Sequence, residues 1–121
     1  MTRKDIQLRT KKFHVDVIRI CELLPRNAVG FETAKQVIRS AGSVGANYRA
    51  TARAKSEADF IYKLEIVIEE ADECMYWLEI IQESEMIKSE ITSSLINEAN
   101  ELISILVASV KTFKARKNIQ P

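Results

Sequence analysis

An all-α fold, an antiparallel up-down-up-down four-helix bundle, is what this chain of 121 residues predicts. Apolar residues recur at three- and four-residue steps through four long stretches, the period of one buried helical face. Only 3 glycines and 2 prolines punctuate the chain, and aromatic residues make up 7% of it. With abundant Ala, Ile, Glu and Lys, that composition favours helices over a β-sandwich. The length suits one domain spanning residues 1–121, and the 46% of hydrophobic residues can supply a core for it.

The first helix is expected over about 5–24. Ile6, Phe13, Val17, Ile20 and Leu24 form its apolar face, and Pro25 ends it because the residue before a proline disfavours the helical region. The second, over about 31–54, begins near Phe31 or Glu32, with Gly30 in the link. Its inward stripe is Ala34, Val37, Ile38, Ala41, Val44, Gly45, Tyr48 and Ala52. A separate stripe holds Lys35, Arg39, Gly42, Ala46, Arg49 and Arg53. Gly42 and Gly45 each cost about 1 kcal/mol of helix propensity relative to Ala, a loss that calls for a packing reason or a bend. Together with Ala46 they predict close approach of another backbone.

The third helix, over about 57–84, opens with Ser56 as its cap and Asp59 three residues on, a variant of the capping box. Phe60, Leu64, Val67, Ile68, Ala71, Met75, Leu78 and Ile81 carry its apolar face. The fourth, over about 88–116, keeps a nearly regular heptad through Ile91, Leu95, Ala99, Leu102, Leu106, Val110 and Phe113.

A net charge of +1 conceals a sharp division. Residues 1–55 hold 12 Lys and Arg against 4 Asp and Glu, and residues 56–108 hold 2 against 13. The tail adds Lys111, Lys114, Arg116 and Lys117. Such asymmetry has two readings: helices of opposite sign packed side by side, or a basic face for an anionic partner.

Catalytic constellations are missing. His14 is the one histidine and is expected at the surface; a di-iron bundle needs two Glu-x-x-His motifs, so that chemistry is excluded. Glu65, Glu69, Glu70, Asp72 and Glu73 share helical spacing that can attract Mg²⁺, but a solvated face or a set of partners for arginines is the better reading. Cys21 and Cys74 lie in no metal-like spacing and read as small buried residues. No phosphate loop or activated nucleophile is recognisable. The expectation is a protein that is not an enzyme, with no cofactor and no metal. No apolar run is long enough to span a membrane and the first residues lack a signal peptide's apolar core, which makes the cytoplasm the default location.

Gln36, then Arg39-Ser40-Ala41, then Ser43-Val44-Gly45-Ala46-Asn47-Tyr48-Arg49-Ala50 resemble the signature of a bacterial four-helix-bundle family. Its founding members are encoded in intervening sequences within 23S rRNA genes. The stretch ADFIYKLEIVIEEADECMYWLEII, Ala58 to Ile81, resembles that family's third helix, and the resemblance covers about residues 8–115. Many members carry a proline near the position of Gly45, so the resemblance implies less bending here. It also implies a homo-oligomer, a ring of five subunits. The accessory protein of diversity-generating retroelements, which binds a reverse transcriptase and nucleic acid through a positively charged bundle, is a distant relative. No functional residue is carried over from it; the charge division together with the family resemblance gives the expectation of contact with nucleic acid, RNA ahead of DNA, through Arg39, Arg49, Arg53 and Lys55, with Lys11 and Lys12 as auxiliaries. Gly42, Gly45 and Ala46 would serve close packing within or between subunits. The alternative is a protein-interaction scaffold whose basic and acidic helices pair between subunits or with a protein partner.

Overall fold

The structure, a computed structural model, describes residues 1–119, the side chains of Ser89 and of residues 117–119 excepted. The domain end expected at residue 121 and the Lys117 charge lie outside the described residues. Four α-helices follow one another: α1 (Arg3–Cys21), α2 (Ala28–Ala50), α3 (Glu57–Glu83) and α4 (Ser89–Ile119). A single 3₁₀ turn, Thr51–Arg53, extends α2, and no strand occurs among the described residues. Each helix packs on its neighbours in the chain, and α4 closes back on α1 while the diagonal pairs stay apart. With short links, that arrangement is the antiparallel up-down-up-down bundle.

The helix starts are set by side-chain caps. Thr2 accepts from the Asp5 amide (3.1 Å) while Asp5 accepts from the Thr2 amide (2.8 Å), a closed capping box that starts α1 earlier than its apolar spacing indicates. Asn27 accepts from the Gly30 amide at 2.9 Å, so α2 begins at Ala28 and not near Phe31. Gly30 therefore lies inside the helix, where the Pro25 carbonyl crosses so closely that a Cβ would sit 1.8 Å from its oxygen. At the start of α3, Ser56 accepts from the Asp59 amide, but Asp59 reaches back to the amide of Lys55 (2.9 Å), one residue beyond the usual box.

Helix ends also differ from expectation. Helix α1 stops at Cys21, and tighter turns through Leu23 and Leu24 lead into Pro25, leaving Leu24 buried all the same. The α-helical part of α2 stops at Ala50. Its tightening into the 3₁₀ turn brings Thr51 inward and leaves Ala52, expected in the core, exposed. On α4 the phase favours Thr92, three residues before Leu95, so Thr92 is buried and Ile91 is not.

The core has two clusters along the bundle axis. One gathers Phe13, Val17, Val37, Cys74, Leu78 and Leu102 with their neighbours; the other gathers Ile6, Val44, Tyr48, Leu64, Val67 and Leu106. The buried hydroxyls of Thr10, Ser40 and Thr51 turn back onto their own backbone, Ser40 to the carbonyls of Gln36 and Val37, both at 3.1 Å, whereas the buried Thr92 hydroxyl has no partner among the described residues. No helix among the described residues is long and apolar enough to cross a membrane.

Candidate nucleic-acid interface

The small residues of α2 meet α1. A Cβ on Gly45 would stand 3.6 Å from the Thr10 carbonyl oxygen, and one on Gly42 would stand 3.1 Å from the Cε1 and Nε2 atoms of His14. Gly42 thus makes room for the His14 ring of α1 within the same chain, whereas Gly45 leaves space for a methyl group beside Thr10. His14 is not a free surface residue: it is half-buried, its ring lying over Gly42. Beside this contact a groove of about 430 Å³ opens, with Gly42, Gly45 and Ala46 along α2 and Lys11 and Arg49 among its lining residues.

The basic residues expected to meet phosphate divide into two sets. Arg39 donates from Nη1 to Glu70 (3.3 Å) and from Nη2 to Glu73, both on α3. Its hydrogen bond to Glu73 favours the charged guanidinium and raises its pKa. Lys12 pairs with Asp16 at 2.6 Å. Arg9, another basic residue of α1, is clamped by Glu98 (2.6 Å) and Glu101 (3.2 Å) of α4. Here the opposite-sign helices do pack side by side. Lys11, Arg49, Arg53 and Lys55 are exposed, and their side chains make no ion pair among the described residues.

The fold adds residues that sequence spacing could not join to these. The start of α1, the end of α2, the start of α3 and the end of α4 share one end of the bundle. There Arg3 donates to the Thr51 hydroxyl at 2.6 Å, and Thr51 donates onward to the Tyr48 carbonyl at 2.6 Å. The Arg3 guanidinium lies 5.6 Å from the Tyr48 ring centroid and 5.9 Å from that of Phe60. Phe60 packs edge-on against Phe113 with centroids 4.7 Å apart, and Arg116 covers Phe113 at 5.5 Å. A shallow hollow of about 540 Å³ includes Arg3, Lys55, Glu57, Phe60 and Phe113 in its wall, and Arg116 adjoins it through Phe113. Lys114 reaches Glu65 at 3.5 Å nearby. Lys114 and Arg116, remote in sequence from Arg53 and Lys55, therefore join the same end. Tyr48 itself is buried beneath Arg3, which removes its ring from any role in stacking on a base.

The acidic residues have other work. Glu70 and Glu73 hold Arg39 and Glu65 faces Lys114, and no group of three His, Cys, Asp or Glu among the described residues is placed to hold a metal ion. Burial pushes the Cys21 thiol up to about 11 and the Cys74 thiol up to about 12, so both stay protonated near neutrality.

Comparison with known proteins agrees with this architecture. A solved structure of a protein of unknown function from the S23 ribosomal protein family of Bacteroides thetaiotaomicron VPI-5482 is similar, with a TM-score of 0.81 and 35% sequence identity. The match covers 88% of this chain and 98% of that one. Among curated proteins there is no match. The sequence model of the 23S rRNA-intervening sequence proteins matches residues 3–108, nearly the whole bundle with its α1–α2 groove, and the chain belongs to that family.

Proposed function

We propose that this protein is a non-catalytic, homo-oligomeric helical bundle that contacts RNA through the α1–α2 groove and the adjoining basic end. The observation that carries this reading is the division among its cations. Lys11, Arg49, Arg53 and Lys55 keep their charges toward solvent, whereas Arg39 and Lys12 already have carboxylates. A phosphate backbone gains most from cations without a competing partner, because the ions it releases are not replaced by a broken ion pair. Arg39 and Lys12, with their carboxylates, rank below the other four as phosphate contacts.

Exposed Leu8, Val15 and Ile18 on α1 and Phe31 on α2 support self-association. They also favour a second reading, a scaffold in which this face meets the outward stripe of α3 on a neighbouring subunit. That stripe holds Glu65, Glu69 and Asp72 between Tyr62 and Tyr76, all exposed.

Light-scattering mass after size-exclusion chromatography, with and without RNA at low and high salt, separates the two. RNA contact predicts an assembly that survives salt and gains RNA mass only at low salt. Arg49→Glu with Arg53→Glu should cut RNA affinity at least tenfold and flatten its salt dependence. Unchanged affinity in that double variant overturns the RNA reading. An assembly that ignores RNA and dissociates as salt rises favours the scaffold.

A further inference from the structure

We infer that the hollow at the basic end is a pocket for an unpaired base of single-stranded RNA, with the flanking phosphates held at its rim. The inference rests on the RNA reading above and narrows it to one nucleic-acid form.

Pre-organisation is what distinguishes this hollow from the rest of the basic surface. Arg3 is fixed from two sides, by its hydrogen bond to Thr51 and by the rings of Tyr48 and Phe60 beneath it. Arg116 lies over Phe113. A guanidinium that rests one face on a ring presents its other face as a flat, charged platform, and such platforms stack on bases exposed outside a duplex. Holding the arginines in place beforehand removes much of the ordering cost of binding.

Glu57 in the wall selects the orientation. Its carboxylate repels a phosphate that would enter the hollow but accepts hydrogen bonds from an exocyclic amino group of a base. The base therefore enters and the phosphates stay outside, near Lys55 and Arg116. A duplex cannot comply, because its bases are stacked on one another and paired.

Fluorescence anisotropy at low salt tests this, using a labelled single-stranded RNA of about ten nucleotides and its blunt duplex. The intact protein is expected to prefer the single strand by about tenfold, the scale of one stacked base. Arg3→Ala and Arg116→Ala should each remove most of that preference, weakening the single strand more than the duplex. Arg116 is exposed, so its variant reports on the pocket even if Arg3→Ala loosens α1. Equal affinity for both RNAs, or a preference unchanged in both variants, overturns the pocket. If binding in that case still falls in the Arg49→Glu/Arg53→Glu protein, the broader reading stands. Binding of neither RNA overturns both.

Discussion

At Gly30 an added methyl group would meet the Pro25 carbonyl oxygen at 1.8 Å, and that neighbour is backbone, which cannot swing aside as a side chain would. Gly45 faces ordinary van der Waals space, with Thr10 no nearer than 3.6 Å. The two glycines should therefore answer the same substitution with opposite signs. Gly30→Ala is expected to cost about 3 kcal/mol through overpacking, whereas Gly45→Ala should stabilise by about 1 kcal/mol through helix propensity. Thermal melts followed by circular dichroism check both. If Gly45→Ala leaves the fold stable but reduces the assembled mass, the glycine serves contact between subunits as well as within one. Glu85 is the one described residue other than glycine with positive φ, at 56°, and it closes α3 while the Met86 amide bonds the Ile81 carbonyl. Glu85→Gly relieves the left-handed conformation and should raise stability by about 1 kcal/mol, read as a higher urea midpoint.

Among the elements, α3 has the start most open to test. The Lys55 amide donates to the Asp59 carboxylate and holds its pKa below the usual carboxylate range. A depressed folded-state pKa means the interaction stabilises the fold fully above the ordinary carboxylate value, and that this help is lost as pH falls through the lowered one. Melting temperatures measured from neutral to strongly acid pH should drop less steeply for Asp59→Asn than for the parent chain. An unchanged slope would remove Asp59 from the acid response.

The apolar periodicity of each helix was readable because burial repeats on the helical period, and Leu64, Val67, Ala71, Leu78, Leu95, Ala99 and Leu102 lie where that period puts them. What the period cannot reveal is local closure. Asn27 as a cap and Thr2 with Asp5 as a box were legible as residue types but compete with apolar spacing for the boundary. The candidate site was legible in part for a similar reason. Arg49, Arg53 and Lys55 lie close together on one stretch, so their charge shows in the chain. Arg3 and Arg116 are linked only in the fold, across the Phe60–Phe113 pair, and the partners of Arg39 lie more than thirty residues away on α3.

At the scale of the whole molecule, the four helix seams are unequal. Helices adjoining in the chain pack extensively, whereas α1 and α4 touch more sparsely than any adjoining helix pair and are lined by surface hollows around Asp16, Ser94 and Leu95. That seam is also the one that joins the most distant parts of the sequence, so closing it costs the most chain entropy. Opening should therefore begin there, with α1 swinging out as a unit before α2, α3 and α4 separate. Native-state hydrogen exchange should find α1 amides less protected than those in the middle of α3. Arg3 travels with α1, so each such opening dismantles the hollow at the basic end. A bound RNA strand would then act as a latch, and slower exchange throughout α1 in its presence would report occupancy far from the point of contact.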